Sequence, residues 1–176
     1  MNEVHIPELV LNPATAAEAP LLANLLELYI HELSDVFKLD VGPEGRFGYA
    51  KLPLYFSEPE RRFPILFRVA GKLAGFALIT RGSPASDDPN VLDVAEFFVL
   101  RRFRRAGVGG CAAALLWDRQ PASWVLRVSS GNAAGRAFWT PTIANYSAGR
   151  YRETERPGTP HGWHVFQFSS ERVGEK

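Results

Sequence analysis

The chain has little of what many specialised proteins depend on. Among 176 residues there is one cysteine, Cys111. An internal disulfide and a cysteine-based metal cluster are therefore excluded, and a reducing compartment fits. Charge of one sign is missing too: Lys+Arg 20 against Asp+Glu 19 leave a formal net charge of +1. Such a balance gives no global attraction to nucleic acid or to an anionic membrane. Histidines number 4, and their spacing offers no metal site. His161-x-x-His164 has no third ligand nearby, and His5 stands apart. No uninterrupted apolar run approaches the ~20 residues that span a bilayer. Met1 to Leu11 carries Glu3 and Glu8 and no basic stretch before an apolar run, so it does not read as a secretory signal. A cytoplasmic chain is expected. No Lys-Ser or Lys-Thr pair occurs, which removes the phosphate loop of nucleoside triphosphatases.

What is present is the composition of a soluble globular protein, 46% apolar and 22% charged. No repeat or linker interrupts it, and residues 1–176 read as a single domain. Leu9 to Leu11 suits a short strand. A helix is expected over 16–33, with Thr15 as cap and Glu18 three residues on. Its apolar side would use Leu21, Leu22, Leu25, Leu26, Leu28 and Tyr29. Residues 34–46 look irregular, and 49–57 admit either a short helix or a strand. Strands over 63–69 and 73–80 flank the tight turn Ala70-Gly71-Lys72. A Ser/Pro/Asp-rich loop, 82–90, leads to a strand over 91–100. A helix over 107–119 follows, its apolar side including Val108, Ala112, Leu115 and Leu116. Then come a strand over 124–128, a short helix over 132–139, and a final pair of strands over 146–155 and 163–169.

The most informative stretch is Val99-Leu-Arg-Arg-Phe-Arg-Arg-Ala-Gly-Val-Gly-Gly110. It joins a strand to a helix through Gly107, Gly109 and Gly110. Glycines let backbone approach closely, and the first helical N–H groups have no intrahelical partner. With the positive end of the helix dipole among them, these groups suit a phosphate or pyrophosphate. A strict Gly-x-Gly-x-x-Gly dinucleotide fingerprint fails at Ala112. The segment Arg104-Arg105-Ala106-Gly107-Val108-Gly109 instead resembles the Arg/Gln-x-x-Gly-x-Gly/Ala loop of the GNAT acetyltransferases. Asn132 to Trp139 resembles that family's second block, Asn-x-x-Ala-x-x-Phe/Leu-Tyr, with Gly135 in place of alanine and Phe138 at the packing position. The resemblance implies an α/β (α+β) fold: a mixed, mostly antiparallel sheet with splayed central strands and helices on both faces. It also implies acetyl-CoA as cosubstrate and no metal. The cofactor would lie against Phe98, Val99, Arg104, Arg105, Ala106, Gly107, Val108, Gly109, Gly110, Asn132 and Trp139. Asn132 also suits a plain helix cap.

Trp139 departs from the family pattern, which has tyrosine there as a proposed acid. An indole N–H donates a hydrogen bond but gives up no proton near neutral pH. Protonation of the leaving thiolate would then fall to water, Tyr146 or Tyr151. For the proton acceptor, the strand over 91–100 offers Asp93 and Glu96. Three positions apart in a regular strand, they face opposite sides. Glu96 is the first candidate, and a buried carboxylate needs a partner or water; a structural salt bridge is the competing role. On the first helix Glu27, His31, Glu32 and Asp35 either line an acceptor site or form a solvated face. Cys111, near a helix start, suits a thiolate or, better, a small packing residue. The function expected is transfer of an acetyl group from acetyl-CoA to an amine by direct attack. A non-catalytic acyl-CoA-binding module is the alternative. A nucleic-acid patch at Arg101 to Arg105 is disfavoured by the neutral remainder. Membrane is not expected as a partner, and a homodimer is compatible with the resemblance.

Overall fold

A computed structural model of the chain describes residues 8–171, so His5 and most of the leading segment lie outside the described residues. Seven strands form one sheet in the order β1-β2-β3-β4-β5-β7-β6. They are β1 Leu9–Pro13, β2 Arg62–Val69, β3 Lys72–Arg81, β4 Leu92–Val99, β5 Ser123–Ser129, β6 Tyr151–Arg156 and β7 Trp163–Ser169. Every neighbouring pair is antiparallel except β4 and β5, which run parallel. The helices are α1 Ala19–Phe37, α2 Leu54–Ser57, α3 Val108–Arg119 and α4 Ala133–Tyr146. Residues 49–57 thus settle as turn and short helix.

Helical periodicity explains α1. Leu22, Leu25 and Leu26 are buried and Tyr29 completes the stripe at i, i+3, i+4 and i+7. Leu28, expected on that side, is 51% exposed. The stripe packs with α2 on Leu66, Phe76, Leu78 and Phe98 of the sheet, each buried leucine contributing about 1.5–3 kcal/mol. The opposite sheet face is covered by α3 and α4, through Val108, Ala112, Leu116, Trp117, Trp139 and Ile143. Leu115 leaves that seam at 39% exposure, and Ala113 and Trp117 replace it.

Helix α1 runs on to Phe37, into the stretch 34–46 expected to be irregular, and two larger expectations change. The helix after β5 does not stop at Trp139 but runs on through Pro141 to Tyr146. Proline removes one backbone donor. The Thr142 hydroxyl donates to the Phe138 carbonyl at 2.6 Å beside that gap, and buried Ile143 keeps the second half on the core. Tyr146 is consequently the last residue of α4, and the strand expected from 146 begins at Tyr151. The second change is in β4. Leu78 pairs with Glu96 and Ile79 with Val94, so Ala95 is an extra residue in a β-bulge.

Candidate active site

Parallel pairing of β4 with β5 covers Leu92, Asp93 and Val94 and goes no further. Beyond Val94 the strands part, and a cleft of about 1440 Å³ opens between them. Its lining includes Gly107, Gly109 and Gly110 from the turn before α3, together with Tyr49, Arg127 and Trp163.

At the glycine turn, Gly107 adopts φ +79°, left-handed, as the N-cap of α3, a conformation glycine takes at little cost. The first helical bond is from the Cys111 N–H to the Gly107 carbonyl. The N–H groups of Val108, Gly109 and Gly110 therefore lack intrahelical partners. A Cβ at Gly109 would come 3.0 Å from Phe138 Cζ, whereas one at Gly110 would meet nothing within 4 Å. Of the two candidate arginines, Arg104 is committed. Its Nε donates to the Val99 carbonyl at 2.6 Å, and its Nη2 donates to Glu32 at 2.8 Å. Arg105 is exposed at the rim. Ala106 is exposed in the same turn, and Phe98 and Val99 are buried at the end of β4.

Asn132 caps α4, its Oδ1 accepting from the Gly135 N–H at 2.9 Å. A Cβ at Gly135 would sit 2.5 Å from the Asn132 amide nitrogen, so in this chain an alanine there would require the Asn132 side chain to shift. Trp139 forms part of the cleft wall, with ring centroids 4.8 Å from Phe97 and 4.7 Å from Phe138. Tyr146 is not in the cleft wall; its hydroxyl donates to Asp118 at 2.8 Å.

The two strand carboxylates have different surroundings. The bulge at Ala95 turns Glu96 to the same sheet face as Asp93, correcting the regular-strand expectation of opposite faces. Asp93 is fully buried. It accepts from Arg127 Nε at 3.0 Å, from Arg127 Nη2 at 3.3 Å and from the Ser83 hydroxyl. Asp93 thus holds the salt bridge that was a competing role for Glu96. Glu96 opens on the cleft, and its oxygens accept from the phenols of Tyr29 at 2.8 Å and Tyr49 at 2.9 Å. Burial raises its carboxyl above the usual range, while the two phenols pull it back down. Burial and the facing carboxylate push the phenols of Tyr29 and Tyr49 up, so both remain protonated donors at neutral pH.

The acidic residues of α1 are spent elsewhere. Glu27 accepts from the Phe47 and Gly48 N–H groups at 2.8 and 2.7 Å. Glu32 holds Arg101 and Arg104, and Asp35 holds Lys38. His31 lies against Phe47, ring centroids 6.3 Å apart. His161 Nε2 is 3.0 Å from the Val36 carbonyl, and His164 Nδ1 is 3.4 Å from Glu153. Burial pushes the Cys111 thiol up, the opposite of an activated thiolate. Among the described residues no helix is long and apolar enough to cross a membrane.

Sequence reasoning passed over Tyr29, Tyr49 and Arg127. By its spacing Tyr29 is one more apolar residue on the α1 stripe. Arg127 carried a usable signal: a cation within a buried strand needs an anion, as Asp93 needs a cation. Tyr49 carried none.

No protein-family model and no curated protein matches the sequence. Solved structures do match. A GNAT-family acetyltransferase from Streptococcus agalactiae superposes at TM-score 0.68 and 13% identity, over 97% of this chain and 100% of that one. The ribosomal-protein-S18-alanine N-acetyltransferase of Escherichia coli gives 0.60 and 18%, over 96% and 98%. The yncA protein of Salmonella typhimurium, in complex with its cofactor acetyl-CoA, gives 0.63 and 13%, over 94% and 96%. At such identities the likeness is one of fold, and the chain has the fold of the GNAT acetyltransferases.

Proposed function

We propose that this protein is an N-acetyltransferase that uses acetyl-CoA, with the amine attacking the thioester directly. One observation carries the reading. The parting of β4 from β5 runs into the unpartnered N–H groups at the start of α3, and Glu96 opens on that same cleft. The solved relatives' own activities support it, as does acetyl-CoA in one of them.

In this reading the backbone from Arg105 through Ala106 and Gly107 to Gly110 holds the pyrophosphate, at the helix N-terminus. Arg105 adds charge, since Arg104 already serves Glu32. The backbone of β4 at Phe98 and Val99, unpaired on the β5 side, borders the thioester, and an N–H there polarises its carbonyl. Trp139 and Asn132 line the opposite wall. The amine nitrogen bonds to the carbonyl carbon, the C–S bond breaks, and the amine proton passes through water to Glu96. Asp93 does not suit that part, because Arg127 and Ser83 occupy its oxygens. Tyr146, engaged with Asp118 outside the cleft wall, does not suit the acid. Water suffices to protonate the thiolate, because thiol pKa values lie near ~8.5. Residues 1–176 act in this reading as one domain.

Incubation of the protein and acetyl-CoA with a panel of amines tests it, with free thiol as the readout. A diamine, amino acids, an aminoglycoside and peptide N-termini make up the panel. Amine-dependent thiol release is expected with at least one class. Tight acetyl-CoA binding with no transfer to any of them would establish the binding module instead.

A further inference from the structure

Glu27 lies outside the cleft wall, yet it grips a loop that reaches into it. Residues 39–53 link α1 to α2 without regular structure. The loop makes turns of its own, from the Gly42 N–H to the Arg46 carbonyl and from the Gly45 N–H to the Gly42 carbonyl. Past the Leu39 N–H, which donates to the Ser34 carbonyl where the loop leaves the helix, its polar attachment to α1 is Glu27. One carboxylate oxygen takes the Phe47 N–H at 2.8 Å and the other the Gly48 N–H at 2.7 Å, with Arg46 Nε 3.7 Å away. Gly48 stands at φ +71° with nothing within 4 Å of a Cβ built on it. Backbone conformation, not space, therefore calls for glycine there. The next residue, Tyr49, delivers its hydroxyl to Glu96 Oε1 at 2.9 Å.

We propose that Glu27 is a positioning residue: by gripping the backbone of Phe47 and Gly48 it holds the Tyr49 hydroxyl on Glu96. The inference rests on the reading of Glu96 as proton acceptor and extends it to the residue that orders its surroundings. Both Glu27 oxygens accept from the loop, and its side chain stays outside the cleft wall where an acceptor amine would sit. The phenols of Tyr29 from α1, Tyr49 from the loop and Tyr55 from α2 face Glu96, as do Arg127 from β5 and Asp93 from β4. Of these, only Tyr49 sits on a segment without regular structure, so only its hydroxyl depends on a distant clamp.

The test reads Glu96 directly in the whole protein labelled with carboxyl-¹³C glutamate, Glu96→Gln identifying the resonance. A donor removed from a carboxylate makes it a weaker acid. Tyr49→Phe should raise the Glu96 titration midpoint by about one pH unit, a tenfold change in proton affinity. Glu27→Ala should raise it in the same direction, and the double variant should move it no further than Tyr49→Phe alone. Gly48→Ala, strained at its positive φ, attacks the clamp from the loop side and should act like Glu27→Ala. A wild-type midpoint in Glu27→Ala and Gly48→Ala would overturn the inference, as would a midpoint unmoved by Tyr49→Phe or shifts that add in the double variant. Turnover keeps the two readings apart. A fully active Glu96→Gln would sink the proton-acceptor reading whatever the midpoints. A slow Glu96→Gln with an unmoved Glu27→Ala midpoint would sink only the clamp.

Discussion

Replacing Arg127 with methionine should destabilise the fold through Asp93 rather than through lost packing. Asp93 has no exposed surface, and its side chain is served by Arg127 and the Ser83 hydroxyl. Methionine keeps much of the arginine stem's apolar contact but leaves a buried carboxylate with one neutral donor. Breaking a buried ion pair costs about 3–5 kcal/mol. Two features reduce that here: the Arg127 side chain is 25% exposed, and Ser83 remains. A loss of about 2–3 kcal/mol is therefore expected, which in a chain of this size lowers the melting temperature by roughly 4–12 °C. Urea unfolding followed by circular dichroism gives the free energy, and thermal melts give the temperature. The control is Asp93→Leu combined with Arg127→Met. With no charge stranded, the pair of changes should recover at least half of the single variant's loss. An Arg127→Met protein within about 0.5 kcal/mol of wild type, the ordinary range for surface changes, would refute the argument. So would a double variant less stable than Arg127→Met alone.

Glu96→Gln should slow transfer by about 10²–10⁴-fold, with the deficit shrinking at high pH, where the amine deprotonates by itself. Its stability should move the other way. Burial raises the Glu96 carboxyl, so the folded state binds that proton more tightly than the unfolded chain. Stability from this group is then full at low pH and lost as pH rises through the folded value. Glu96→Gln should flatten that fall and melt higher than wild type at neutral pH. Gly110→Val places its side chain in open space, so it should fold normally and still lose coenzyme A affinity by calorimetry; unchanged affinity would remove the anion site from the turn. Trp139→Ala, which empties a contact between Phe97 and Phe138, should cost about 3–5 kcal/mol in urea unfolding, while Trp139→Phe should keep most of the turnover.

The sequence by itself determined the order of the elements and the glycine turn, because those signals are local. The α1 leucines repeat at helical spacing, and the hairpin around Gly71 declares itself by turn chemistry. A left-handed N-cap at Gly107 favours glycine at that very position. Local signals also misled. The helix expected to end at Trp139 continues through Pro141, because the packing of Ile143 and the Thr142 hydroxyl carry α4 past it. What only the tertiary structure decided is which carboxylate opens on the cleft. A period of two sets Asp93 and Glu96 on opposite faces; one extra residue, Ala95, reverses that. A bulge arises from the register between β3 and β4, a property of two strands that neither shows alone. The partners are equally non-local. Glu96 meets Tyr29 across 67 residues of chain and Tyr49 across 47, and Asp93 meets Arg127 across 34. No periodicity within one segment encodes such meetings, because sheet order and helix docking bring those side chains together only once the whole core is packed.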